Sequence, residues 1–250
     1  MTNHSAASPM TSPRVLVALA TYNEINNLPS LVDEICRILP DAQLLIIDDN
    51  SPDGTGRWCD ERERTEPMLR CLHRPGKQGL GSATLTAMRW ALDGPYDVLI
   101  TMDADWSHDP QFLPALVAAT VHADVALGSR YCNGGAIDGW PLHRRVGSRL
   151  MNGLSRVLLR LPVRDASGAF RAYRIAALRR IDLASIRSTG YAYLEETLWH
   201  LYRAGASLVE VPITFHQRRA GESKINAQEA IGKLGTLLRL ASSRSPRSSE

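Results

Sequence analysis

Short apolar runs alternate with longer amphipathic stretches from Arg14 to Gly128. Val15 to Ala20, Gln43 to Asp48, Asp97 to Met102 and Asp124 to Leu127 are continuous and rich in Val, Ile and Leu, the pattern of strands buried on both faces. Between them, Asn26 to Leu39, Gly54 to Arg64, Leu80 to Leu92 and Pro110 to Val121 carry helical periodicity. Strands separated by helices pair in parallel through crossover connections, which predicts an α/β fold with a mostly parallel central sheet flanked by helices. Ligands of such open sheets bind beyond the carboxyl ends of the strands. That directs attention to Thr21–Glu24, Asp48–Ser51 and Asp103–Ser107.

A different pattern marks the second half. From Leu142 to Leu161, Leu142, Val146, Leu150, Leu154, Val157, Leu158 and Leu161 recur at helical spacing, with Arg145, Arg149, Arg156 and Arg160 beside them. An apolar stripe next to a basic one suits a helix lying in the interface of an anionic membrane. The same periodicity also suits a helix packed on the sheet, and Gly147 and Gly153 weaken it in isolation. Ala227 to Leu240 is a second amphipathic helix and a candidate neighbour. Residues 1–13 and 242–250 are polar and without periodicity, so they read as disordered tails around one domain over 14–241. Within it, 14–131 forms one half and 132–241 the other.

Composition adds exclusions. With 250 residues, 44% apolar and 22% charged, the chain matches an ordinary globular domain. No apolar run approaches the roughly 18 residues of a spanning helix, and the first residues lack the apolar core of a signal peptide. A cytoplasmic protein is expected. Cys36, Cys59, Cys71 and Cys132 include no C-x-x-C pair, so they read as reduced thiols. The net charge of +3 hides an imbalance: residues 1–138 carry −8 and the remainder +11. An anionic partner is therefore sought in the second half. Nucleic acid is disfavoured, because the arginines are not interleaved with stacking aromatics and no recognition motif is present.

Candidate chemistry sits at the strand ends. Asp103 and Asp105, two residues apart, can share one hard cation, Mg2+ or Mn2+, that also takes phosphate oxygens. Asp109 before Pro110 is a helix cap. Asp48 and Asp49 form a second acidic pair suited to a ribose or base, and Pro52-Asp53-Gly54 is a turn. Thr21-Tyr22-Asn23-Glu24 puts an aromatic ring and a carboxylate on the same rim. Gly76-Lys77-Gln78-Gly79-Leu80-Gly81 fits neither dinucleotide nor Walker patterns, and its glycines permit a tight path before a helix. His108 and His143 read as polar surface residues.

Taken together, these runs resemble the inverting family-2 glycosyltransferases of GT-A fold and, within them, the dolichol-phosphate (polyprenol-phosphate) mannosyltransferases. The likeness continues through Gly128-Ser129-Arg130-Tyr131, Asn133-Gly134-Gly135, Gly139-Trp140, Asp165 to Arg171, Gly190-Tyr191 and Gly221-Glu222-Ser223-Lys224, covering about residues 14 to 240. It implies that Ala20, Tyr22, Glu24, Ile47 and Asp49 line a nucleotide pocket. Asp103, Ala104 and Asp105 would hold the donor diphosphate and metal, with Ser107 as a further ligand. Arg130, Arg218 and Lys224 would neutralise phosphate, with Asp105, Arg218 and Lys224 carrying catalysis. The chain departs from the family at Ala20 (proline), Ser107 (glutamine in some members) and Leu194 (glutamine).

The implied reaction moves mannose from GDP-mannose to a polyprenyl or dolichyl monophosphate at a membrane surface. UDP-glucose as donor and a non-lipid acceptor are the alternatives. A phosphate monoester is largely dianionic at neutral pH, so the acceptor needs positioning more than a strong base. Arg145, Arg149 and Arg171 are the candidates for holding it.

Overall fold

A computed structural model describes residues 12–188, 190–218 and 227–243. β1 (Val15–Thr21), α1 (Leu28–Ile38), β2 (Gln43–Asp48), α2 (Thr55–Thr65), β3 (Leu69–His73), α3 (Leu80–Asp93) and β4 (Val98–Asp103) follow as strand and helix in turn. Then come α4 (Leu113–Ala119), β5 (Val125–Ser129), β6 (Ala136–Ile137) and the long α5 (Leu142–Leu159). β7 (Arg171–Arg174), α6 (Ile175–Leu178), α7 (Tyr193–Arg203), β8 (Leu208–Pro212), β9 (Thr214–Phe215) and α8 (Ala227–Ser242) complete the order.

The main sheet has the order β3-β2-β1-β4-β7-β5-β8. All neighbours are parallel except β7, which runs antiparallel between β4 and β5. Because β8 pairs with β5, the two halves of the chain share one sheet. β6 and β9 form a separate short pair.

Successive strand side chains point to opposite faces, and both faces are covered. Val15, Val17 and Leu19 pack with Leu31 and Ile35 of α1 and Leu113 and Leu116 of α4. Leu16 and Ala18 pack on the other side with Met88 of α3, Leu159 of α5, Leu198 of α7 and Leu237 of α8. The chain leaves β1 toward β2 and β3, then returns through α3 to β4 on the other side of β1. That reversal opens a crevice between the carboxyl ends of β1 and β4, where ligands of open α/β sheets bind.

The expected four strands are present within about two residues of their predicted bounds. β3, β7 and β8 were not expected. α5 is packed on one side and open on the other. Asn152, Ser155 and Leu159 are the buried side, whereas Leu142 (76%), Leu150 (69%) and Val157 (73%) are largely exposed. The apolar residues are thus divided: Leu161 is buried, Leu154 and Leu158 pack partly on the core, and Leu142, Val146, Leu150 and Val157 face outward. α8 packs against both α5 and α7. Among the described residues, no helix is long and apolar enough to cross a membrane.

Candidate functional site

Each strand at the crevice ends in a residue of left-handed backbone: Asn23 after β1 (φ 63°), Asn50 after β2 (φ 58°) and Trp106 after β4 (φ 65°). Side chains rarely adopt this conformation, and for tryptophan it is strained, so the rim is held by surrounding contacts. Thr21 and Ser51 hydroxyls donate to Asp48 Oδ1 at 3.0 and 2.5 Å. The Trp106 indole donates to the Asn27 carbonyl at 3.3 Å.

A cavity of about 280 Å³ fills the crevice, lined by Ala20, Tyr22, Glu24, Asp49, Asp103, Ala104, Asp105 and Arg218 among others. The structure thus gathers most of the expected donor residues. Asp49 is buried and paired with Arg74, and its Oδ2 accepts the backbone N–H of Gln78 at 3.0 Å. The loop 76–79 is thereby tied to the end of β2, and Gly79 takes a positive φ of 88° to enter α3. Lys77 Nζ lies 4.6 Å from the centre of the Tyr22 ring, a cation–π contact across the cavity mouth. Ile47 departs from expectation. It is 1% exposed and belongs to the core, reaching only a narrow recess beneath Ala20 and Asp103.

Asp105 accepts both the N–H and the hydroxyl of Ser107 on Oδ1, at 3.0 and 2.5 Å, while Oδ2 faces Arg218 at 3.4 Å. Ser107, expected as a further metal ligand, is buried and turned onto this carboxylate. Burial, and then the neighbouring Asp105 carboxylate, push the Asp103 carboxyl up to about 7. His108 lies in the interior, contrary to the surface position expected of it: it is 1% exposed and stacks on Phe170 with ring centres 5.0 Å apart. Its Nδ1 accepts the Asp103 backbone N–H at 3.0 Å, and burial lowers its pKa to about 4. The ring is therefore neutral, and the 3.8 Å approach to the Asp103 carboxylate is no ion pair. Two adjacent carboxylates beside a neutral His108, one of them 3.4 Å from Arg218, form a hard-oxygen donor pair that can hold a divalent cation.

A larger cavity, about 630 Å³, adjoins the first and shares Asp103, Asp105, Tyr191 and Arg218 with it. Arg130, Arg144, Arg218 and Lys233 bring positive charge to its wall. Arg130 is anchored by the buried Asp165, which accepts its backbone N–H, Nε and Nη2 at 3.0, 2.7 and 2.6 Å. Gly135 permits this placement, since a Cβ there would lie 2.5 Å from the Ser129 carbonyl and 2.8 Å from the Arg130 carbonyl carbon. Arg144 sits 3.8 Å from the centre of the Trp140 ring. Burial, with Arg218 and Arg130 nearby, lowers its pKa. Arg130, Arg218 and Lys233 are each paired with a carboxylate, Asp165, Asp105 and Glu195, so the positive charge of this wall is partly balanced from within.

Several expected anion ligands are elsewhere. Arg130 lines this second cavity and not the nucleotide pocket. Arg171 is fully buried and donates to the carbonyls of Gly168, Ala166 and Leu194 at 2.8, 2.7 and 2.8 Å, so it braces the fold and presents nothing to an acceptor. Arg145 donates to the Trp140 carbonyl at 3.0 Å, and Arg149 lies over Tyr131 on another side of α5. Arg144 and Ser148, four residues apart on the cavity-facing side, take the places expected of Arg145 and Arg149. Helical spacing alone relates these pairs equally well; only docking chooses the register. Tyr191 and Lys233 were likewise not assigned from sequence as cavity residues. Lys224 lies outside the described residues.

The description "Glycosyl transferase family 2" matches residues 16–182, more than half of the chain. An undecaprenyl-phosphate mannosyltransferase of Micrococcus luteus is 43% identical over 85% of this chain and 88% of its own. A polyprenol monophosphomannose synthase of Mycolicibacterium smegmatis is 42% identical over 88% and 85%. Among solved structures, glucosyl-3-phosphoglycerate synthase from Mycobacterium tuberculosis, crystallised with Mn2+, UDP and glucosyl-3-phosphoglycerate, superposes with a TM-score of 0.64 at 18% identity, covering 92% of this chain and 80% of that one. A mannosyltransferase from Pyrobaculum calidifontis with GDP-Man and Mn2+ gives 0.55 at 15% identity, over 94% and 72%. The structures share the fold; the sequence relatives, with the crevice at β1 and β4, make this chain a member of glycosyl transferase family 2.

Proposed function

We propose that the chain transfers mannose from GDP-mannose to the phosphate of a polyprenyl or dolichyl monophosphate, inverting the anomeric centre. The observation that carries this is the meeting of two cavities at Asp103, Asp105, Tyr191 and Arg218, the larger one walled by four cations. The mannosyltransferase and synthase relatives act on polyprenyl phosphates by name, which supports the same acceptor here. The acceptor phosphate enters already anionic, so Arg130, Arg144 and Ser148 orient it and no side chain must remove a proton. Displacement from the face opposite the leaving diphosphate inverts the sugar carbon. Arg218 stands where charge builds on that diphosphate, a preorganised contribution that grows in the transition state. Mg2+ or Mn2+, held by Asp103 and Asp105, supplies Lewis-acid charge to the leaving group when bound.

Incubation with GDP-mannose, UDP-glucose and a short polyprenyl phosphate should carry mannose, and not glucose, into the organic extract. Transfer only to a water-soluble acceptor, or only from UDP-glucose, overturns this reading.

Cation binding has a thermal readout. Asp103 is raised from its ordinary 3.8 to about 7, so the cation-free fold binds more protons than the unfolded chain and gains stability as pH falls through that window. A divalent cation competes with that proton. Mn2+ should therefore raise Tm more at about pH 8 than at about pH 6, and Asp103→Asn should remove the difference. Equal Tm gains at both pH values in the unaltered protein defeat the assignment.

The outward apolar residues of α5 beside Arg149, Arg156 and Arg160 support peripheral attachment to an anionic membrane. Flotation with anionic liposomes at low salt, lost at high salt, is the expected result. A protein that stays with the soluble fraction throughout sinks the idea.

A further inference from the structure

α5 separates two recesses of opposite use. Its cavity-facing residues, His143, Arg144, Gly147, Ser148 and Met151, line the acceptor cavity. On the other flank Arg149, Gly153 and Arg156 border a depression of about 240 Å³ with Tyr131, Asn152 and Arg164. This opens into a wider groove of about 470 Å³ that shares Arg156 and Arg164 and runs along Asn133 and Pro162. At roughly 100° per residue, outward-facing Leu142, Val146, Leu150 and Val157 fall between the two flanks. A hydrogen-bonded wall divides the recesses: Tyr131 donates to Ser148 at 2.7 Å, and Asn152 donates to Ser167 at 2.9 Å.

The groove carries charge with little to balance it. Arg156 makes no ion pair with any described residue, Arg149 only lies over the Tyr131 ring at 5.7 Å, and Arg164 has one long contact to Asn133 Oδ1 at 3.4 Å. The one carboxylate on the lining, Glu210, uses its Oε1 toward the interior, accepting from Ser129 Oγ and Asp165 N at 2.7 and 2.9 Å, and three arginines outnumber it. A Cβ at Gly153 would meet nothing within 4 Å, leaving the depression open beside the helix. Guanidiniums present paired N–H donors that match two oxygens of one phosphate.

We propose that this groove binds the phosphodiester headgroup of an anionic phospholipid, at a site separate from the acceptor cavity. The proposal rests on the membrane-surface reading above. The adjoining apolar stripe decides for a lipid over a soluble phosphate, since acyl chains can lie along Val146, Leu150 and Val157 while the headgroup meets Arg149, Arg156 and Arg164. A lipid held on one flank of α5 sets the opposite flank, with its acceptor cavity, at headgroup depth.

The test compares phosphatidylcholine vesicles doped with phosphatidylglycerol against vesicles doped with oleate to the same surface charge. The chain should bind the first about tenfold more tightly, and Arg156→Gln with Arg164→Gln should erase that preference. Arg160→Gln, a change outside the groove, should lower binding to both vesicles alike. Tm and turnover of a short polyprenyl phosphate without vesicles should be unchanged, because both groove arginines are exposed and away from the cavity. Equal affinity for both vesicles, or an equal loss of preference in Arg160→Gln, overturns the groove and leaves the membrane reading standing. Failure to bind any vesicle removes both. Saturable binding of inorganic phosphate that the double variant abolishes, with no preference for the phospholipid vesicle, also overturns the lipid assignment.

Discussion

Asp105→Ala should abolish transfer, lowering turnover by at least about a thousandfold, which corresponds to about 4 kcal/mol in the barrier. Asp105 is 6% exposed, stands where the two cavities meet, and is oriented by two donors from Ser107. Its loss halves the carboxylate pair proposed to hold the cation and removes the carboxylate that lies 3.4 Å from Arg218. Asp105→Asn keeps the shape and the Ser107 contacts while removing the charge, so a similar loss of turnover with an unshifted Tm locates the effect in the chemistry. Ser107→Ala should be milder, loosening the carboxylate without discharging it. Unchanged turnover in either Asp105 variant, or in excess chelator, refutes the assignment.

Arg130→Met should cost about 3–5 kcal/mol of stability, because it strands a buried carboxylate. Asp165 is fully buried and takes three hydrogen bonds from Arg130. Burial alone would raise its pKa; the Arg130 charge and hydrogen bonds outweigh that and hold it below the ordinary 3.8. The unfolded chain therefore takes up protons first as pH falls below about 4, and the stability present above that pH is lost on acidification. In Arg130→Met the sign reverses: the Asp165 pKa rises above its unfolded value, and the variant gains stability as pH drops toward 4. A Tm fall on the order of 10 °C at neutral pH is expected. Adding Asp165→Leu should restore much of the Tm but none of the transfer, since Arg130 also walls the cavity proposed for the acceptor. Restored transfer in the double variant means that Arg130 serves the fold alone.

Local pattern determined much of this protein. Runs such as Gln43–Asp48 become strands because β-branched and aliphatic residues pack on both sheet faces, and the acidic ends of those strands predicted the crevice. Asp103, Asp105, Tyr22, Glu24 and Asp49 were legible for the same reason: chemistry placed directly after a strand has its direction set by the sheet. β7 was not legible, because an antiparallel insertion between β4 and β5 depends on hydrogen-bonding partners more than 40 residues away in sequence. Nor was the helix register. Arg144 and Arg145 are neighbours with the same charge, and which one lines the larger cavity is decided by Asn152, Ser155 and Leu159 docking on the core. Arg171 shows the limit most plainly. Its charge predicts a phosphate contact, yet three carbonyls of a folded loop and helix claim its donors, and only tertiary structure brings those carbonyls to it.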